Sequence, residues 1–220
     1  MPSKTASLTG WKLFALLAAL VLAMSALILA LNADPAEAMR SVIRATARSS
    51  FVLFLAAFVA SSLATLVPNG FTRGLVRERR YIGLSFAFSH LVHLGAIFSY
   101  GALNPQFWPS RGGLTNLPGT IGYVVIALLT VTSFHAVSKR LSATAWKRLH
   151  TAGMWTIALI FGLSFYKRIP TMSTLYAIPF AILCAAVAVR WVGKWAQASK
   201  RTQAQRRNVP QHTFPPALES

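Results

Sequence analysis

Long apolar stretches separated by short polar segments dominate this chain. They cover residues 13–31, 50–67, 81–100, 119–137, 149–166 and 171–189, and none of the six contains Asp, Glu, Lys or Arg. Each approaches the roughly 20 residues that a helix needs to cross a bilayer core of about 30 Å. A backbone in lipid must satisfy its own polar groups, and these stretches lack the alternation of barrel strands. The pattern therefore predicts an all-α, integral membrane bundle of six helices.

The segments between these stretches contain turn-forming residues. Loops are predicted at residues 32–35, 68–70, 104–118 and 167–170, because Pro, Gly, Asn and Asp or charged residues cluster there. Residues 1–12 are predicted as a cytoplasmic N-terminus, 13–195 as the six-helix domain and 196–220 as a basic, disordered tail. The first apolar stretch resembles a signal peptide. However, it exceeds the usual apolar core of 7–15 residues, which favours a retained helix.

Composition and charge narrow the class of protein. Of the 220 residues 55% are hydrophobic and 12% are charged, which excludes an ordinary soluble domain. A net charge of +18 would suggest a nucleic-acid partner in a soluble protein, but here the apolar excess indicates membrane lipid and no nucleic acid. With the N-terminus inside, sixteen basic residues fall on inner segments and six on outer ones. This bias predicts that both termini are cytoplasmic.

Four histidines are the ionisable residues of interest in the predicted spans. His90 and His93 lie in the third span, His135 in the fourth and His150 in the fifth. Neutral imidazole is a common axial ligand of b-type haem iron, and helical bundles build such sites from facing helices. Ordinary helix packing, with histidines that bond across helices, is the alternative. The spans lack the carboxylates that divalent-ion transport or a carboxylate proton relay would use.

Several short segments in consecutive spans point to a known family. They are Asn32-Ala-Asp-Pro35, Arg79-Arg80-Tyr-Ile-Gly83-Leu, His93, Thr132-Ser133 and Trp146-Lys-Arg-Leu-His150. In these residues the chain resembles the ferric reductase-like transmembrane domain family, and within it the haem-binding membrane subunits of periplasmic methionine sulfoxide reductase systems. The resemblance extends over about residues 12–195.

The resemblance implies a redox function at the bacterial inner membrane. It implies one haem b or two, with His93 and His150 as iron ligands. Electrons would come from a cytoplasmic flavin reductase or a quinol and pass to a periplasmic, molybdenum-containing reductase. Quinone and FMN are further candidate cofactors. Arg79, Arg80 and Arg148 lie at the predicted inner surface, where arginines can bind haem propionates.

One position departs from the family pattern. Where a second histidine is expected thirteen residues after His150, this chain has Leu163. His150 is two residues past Arg148 and His93 is thirteen past Arg80, a difference of about 16 Å along parallel helices. One iron would not join the two, so His90 is considered for the outer level and His135 for the inner one. A non-catalytic membrane assembly or transport protein that keeps the fold with little or no haem is the alternative function.

The charge bias gives a first testable prediction. Reporter fusions at the C-terminus and within residues 104–118 are expected to report opposite compartments, with the C-terminus inside. A C-terminal reporter found outside would contradict the assignment, because it requires an odd number of spans or the reversed orientation.

Overall fold

Helices account for the architecture. The computed structural model describes residues 8–110 and 112–207, and this part of the chain contains no β-strand. The single-turn elements are α5 (His135–Ser138) and a 3-10 turn (Thr174–Tyr176). The six long helices are α1 (Trp11–Leu31), α2 (Pro35–Leu66), α3 (Gly70–Leu103), α4 (Gly113–Val131), α6 (Ala143–Thr171) and α7 (Ala177–Arg207). The predicted all-α, six-helix architecture is confirmed, and the chain is a multi-pass membrane protein.

Side-chain caps set the first residue of three of these helices. Asp34 accepts a hydrogen bond from the amide of Ala36 and precedes a proline, an arrangement that favours a helix start. Asn69 and Thr72 form a capping box at the start of α3. Ser142 accepts a bond from the Ala145 amide at the start of α6. The predicted loops at 32–35 and 68–70 therefore also define where the following helices begin.

The helices differ in length from the apolar stretches. α4 begins at Gly113, inside the predicted loop 104–118, and α6 continues through the predicted loop 167–170 to Thr171. α7 extends to Arg207, beyond Trp195, where the disordered tail was predicted to begin. Hydropathy measures the part of a helix that lies in lipid. The hydrogen bonds of the helix backbone continue into the membrane–water interface, where basic side chains are solvated. The prediction of a disordered tail is therefore wrong for residues 196–207. Residues 208–220 lie outside the described part.

Helix α2 is the central element. It packs most extensively on α3 and also contacts α1 and α7, whereas α4 packs mainly on α6. Phenylalanines fill the interior, and the rings of Phe54 and Phe161 lie 5.4 Å apart between α2 and α6. The core contains Phe51, Phe54, Phe58, Phe86, Ile126, Leu129, Ile157, Ala158, Phe161, Leu183 and Ala186. Large apolar side chains on the outer surface, such as Leu20 and Leu159, match a lipid environment.

A polar contact holds the first residues of α1. The amide of Gly10 donates a 2.6 Å hydrogen bond to Glu78 of α3, whose carboxylate also accepts one from Arg77. Trp11 packs against Tyr81 and stacks on Phe134. The contact brings the start of α1 next to the first third of α3 and the turn after α4, so these segments lie at the same end of the bundle.

The crossing of α2 and α7 gives a stability prediction. A Cβ atom on Gly193 would lie 2.5 Å from the Cβ and 2.8 Å from the Cα of Ser62. Gly193→Ala is therefore expected to lower the free energy of unfolding by about 1–3 kcal/mol, which a thermal melt in detergent can measure. Gly74→Ala is the control, because nothing lies within 4 Å of its added Cβ. Equal melting temperatures for the two variants would contradict the close crossing.

Candidate functional site

Buried hydroxyl groups join α2 to α3. Thr46, Ser50 and Ser89 are completely buried. The Ser89 hydroxyl lies 2.9 Å from the hydroxyls of both Ser49 and Ser50, and it also contacts the Thr46 carbonyl at 3.3 Å. Polar groups inside a membrane bundle are stable when they bond to one another, as these do. They form a polar seam, defined by these four residues, that leads to His93.

His93 is anchored to α2 through one ring nitrogen. Its Nδ1 lies 3.0 Å from the carbonyl oxygen of Ile43 and 3.0 Å from the hydroxyl of Thr46. The Thr46 hydroxyl donates to the Val42 carbonyl at 2.6 Å. Both neighbours of Nδ1 therefore act as acceptors, so Nδ1 carries the proton and Nε2 carries the lone pair. This is the arrangement in which histidines ligate metals, with the other nitrogen bonded to a carbonyl.

His90 shares its helix face with His93 but has a different environment. The two ring centroids lie 5.5 Å apart, and the His90 ring also contacts Phe86 and Tyr123. Among the described residues, neither the buried Nδ1 of His90 nor the buried hydroxyl of Tyr123 has a hydrogen-bond partner. The sequence prediction that these two histidines share one face of the third span agrees with these contacts.

His150 lies at the junction of α4 and α6. Its Nε2 is 3.0 Å from the Thr132 hydroxyl, and its ring stacks on Trp146 at 4.0 Å. The Trp146 indole donates to the Thr132 carbonyl at 2.9 Å. Thr132 uses its hydroxyl hydrogen for the Leu128 carbonyl at 2.6 Å, so His150 donates from Nε2 and has its lone pair on Nδ1. Thr132 thus fixes both aromatic residues of the fifth-span segment.

The two predicted iron ligands lie at different levels. His150 contacts Thr132 at the end of α4, whereas the His90 ring next to His93 contacts Phe161 of α6. Residues 150 and 161 are separated by about 16 Å along one helix. The structure therefore agrees with the sequence argument that one iron does not join His93 to His150.

Two of the sequence-predicted positions lie on the surface. α4 ends at Val131, and the turn that follows places His135 on the exposed single-turn helix α5. The prediction that His135 belongs to the fourth span is wrong, because Thr132 and Ser133 close the helix with bonds to α4 carbonyls. Leu163 is 43% exposed, so a histidine there would lie on the surface of α6.

The three arginines of the predicted inner ring differ in exposure. Arg80 and Arg148 are exposed, and Arg80 lies over the ring of Tyr81. Arg79 is half-buried, and its Nε donates to the Ala57 carbonyl at 2.8 Å. Of the three arginines, only Arg79 is partly buried in the bundle.

Sequence reasoning missed several residues of these sites. Thr46 and Ser49 precede the second predicted span and Ser50 is its first residue, so none of them was considered as a site residue. Their helical spacing, and the position of Ser89 four residues before His93, were the available signals. Tyr123 was treated as part of an apolar span. Arg190 was used only in the count of basic residues that assigns the inner side, yet it is 7% exposed and bonds to α2.

Comparison with known proteins identifies the family. The model of the "Ferric reductase like transmembrane component" family matches residues 43–161, a range that includes His90, His93 and His150. No curated protein and no solved structure matches the chain. The match covers more than half of the chain and begins at the residue whose carbonyl holds His93. The chain therefore belongs to the ferric reductase-like transmembrane family and is a membrane electron-transfer component.

Proposed function

We propose that this protein is a haem b-binding membrane subunit that carries electrons from a cytoplasmic or quinol donor to an extracytoplasmic reductase. The observation that carries the proposal is the tautomer of His93, whose Nδ1 donates to the Ile43 carbonyl and leaves Nε2 as a ligand.

The surroundings of His93 fit a flat macrocycle. Nothing lies within 4 Å of a Cβ placed on Gly83, which shares a helix face with His90, so α3 has open backbone beside the two histidines. The orphaned Nδ1 of His90 is a second nitrogen at this level. Because Leu163 supplies no ligand, His93 would hold a haem at the outer level, with His90 as its neighbour.

The inner level offers one further ligand. His150 has a lone pair on Nδ1, and Trp146 and Thr132 hold its ring. Arg79 is close enough to interact with it and would meet the propionates of a haem at this level. Haem b, when bound, supplies a one-electron iron centre that the side chains themselves lack. The protein holds the imidazole rings in place, excludes water with phenylalanines and balances the charge of the propionates with Arg79.

Partners and location follow the family resemblance. A methionine sulfoxide reductase-like, molybdenum-containing protein in the periplasm is proposed as the acceptor. A cytoplasmic flavin reductase or the quinol pool is proposed as the donor, with quinone or FMN as a further cofactor. The basic residues at the start of α3 support an arrangement in the bacterial inner membrane with both termini in the cytoplasm.

A second function is favoured by one observation. Leu163 replaces an expected histidine and lies on the surface of α6. A scaffold for membrane assembly or transport, with the family fold and without haem, would tolerate this replacement.

The haem content of histidine variants tests the proposal. The purified full chain is expected to show a strong Soret band, and His93→Ala and His150→Ala are each expected to lose at least about half of the haem. His135→Ala is the control, because that side chain is exposed on α5. A colourless native protein would favour the scaffold. An unchanged haem-to-protein ratio in both interior variants would contradict the ligand assignment.

Thr46 gives a sharper prediction for the outer level. Thr46→Val keeps the shape of the side chain and the Ile43 carbonyl but removes one of the two acceptors that hold His93. We expect about tenfold weaker haem binding and a shifted midpoint potential, measured by haem titration and redox titration. Thr156→Val is the control, because the Thr156 hydroxyl is exposed and bonds within its own helix. A potential identical to that of the control would exclude Thr46 as a positioning residue.

A further inference from the structure

Two arginines from different helices meet on α2 at the inner end of the bundle. Arg79 of α3 precedes the third apolar stretch, and Arg190 of α7 directly follows the sixth. Arg79 is half-buried and Arg190 is 7% exposed. The two guanidinium groups bond to the carbonyls of adjacent residues of α2, Ala57 and Phe58. Two like charges therefore share a region of low dielectric, where their repulsion is costly.

The hydrogen bonds of Arg79 and Arg190 within the protein use only some of their N–H donors. Arg190 Nη1 donates to the Phe58 carbonyl at 2.6 Å. Arg79 donates from Nε to the Ala57 carbonyl and from Nη1 to Ser61 at 3.4 Å. Each guanidinium has five N–H groups, and the buried Nε of Arg190 has no partner among the described residues. The rings of Phe58 and Trp155 flank the Arg190 guanidinium, at 4.2 Å and 5.5 Å.

No described carboxylate balances these charges. The chain has four acidic residues, of which three are described. Asp34 caps α2, and Glu37 pairs with Arg40 and Arg44 on the first turns of that helix. Glu78 accepts from Gly10 and Arg77. Glu219 lies outside the described residues.

We propose that Arg79 and Arg190 form an oxyanion site, which binds a phosphate or carboxylate group of a membrane-embedded ligand. A buried charge without an opposite charge beside it is strongly unfavourable, and a bidentate oxyanion would satisfy donors of both guanidinium groups at once. The ring faces of Phe58 and Trp155 hold Arg190 in place, so the site is preformed.

The position of the site allows two sources of the oxyanion. The headgroup phosphate of an inner-leaflet anionic phospholipid lies at the level where the apolar stretches end, and Lys194 one turn further along α7 adds a third cation there. A haem propionate is the other source, since Arg79 also interacts with His150. The propionate source rests on the proposed function, whereas the phospholipid source does not.

The test uses the full chain in detergent, as purified, with Arg79→Gln and Arg190→Gln. Two quantities are measured for each protein: the rise in melting temperature on titration with phosphatidylglycerol, against phosphatidylcholine as reference, and the haem content with its midpoint potential. Arg80→Gln is the matched control, because Arg80 is adjacent in sequence but exposed. Arg190→Lys keeps the positive charge if Arg190→Gln does not fold.

The two sources give different results. If the phosphate is bound, the concentration of phosphatidylglycerol for half-maximal stabilisation rises at least about tenfold in both variants while haem is unchanged. If a propionate is bound, the variants lose haem or shift its potential while the lipid response is unchanged. A native protein without haem would overturn the proposed function but leave the lipid measurement intact.

Three results would overturn the oxyanion site. The first is that both variants match the native protein in lipid response and in haem. The second is that Arg80→Gln has the same effect as Arg79→Gln, which would indicate a diffuse surface charge. The third is that Glu219→Gln lowers the melting temperature without lipid as much as Arg190→Gln does, because the balancing carboxylate would then come from the chain itself.

Discussion

The backbone and hydroxyl acceptors of α2 are the constraint on which both levels of the bundle depend. Inside lipid, a polar side chain must find its partner in the protein, since water is absent. α2 supplies such partners to α3 and α7: the Ile43 carbonyl for His93, the Ala57 carbonyl for Arg79 and the Phe58 carbonyl for Arg190. These carbonyls accept a side-chain bond through their second lone pair. The central place of α2 therefore has an electrostatic reason as well as an apolar one.

Phenylalanines separate the two levels along α2. Phe51, Phe54 and Phe58 follow one another on its inner face; Phe51 and Phe54 contact Phe161 of α6, and Phe58 contacts Trp155. Dense aromatic packing between polar sites keeps water out and gives each site its own low-dielectric surroundings. The outer level then contains His90, His93 and the hydroxyls of the polar seam, and the inner level contains His150 together with the buried arginines. The difference between them follows from where polar residues interrupt the aromatic series.

Much of this arrangement could be predicted from the sequence, and the remainder depends on contacts between distant residues. Hydropathy placed six helices and put His90 and His93 on one face, because both inferences need only local spacing. It did not place His135 correctly, since the end of α4 depends on how Thr132 and Ser133 bond. The roles of Thr46 and Arg190 were also hidden. Their partners lie 47 and 132 residues away in the chain, and no local pattern records them.

The bonds of Thr132 have a mechanical consequence for the connection between α4 and α6. One residue at the end of α4 holds Trp146 through its carbonyl and His150 through its hydroxyl. These two hydrogen bonds couple the end of α4 to the start of α6, so a shift of α4 along its axis would also move the imidazole of His150. A change in the position of the exposed α5 turn, which follows Thr132 after only two residues, would therefore be transmitted to His150.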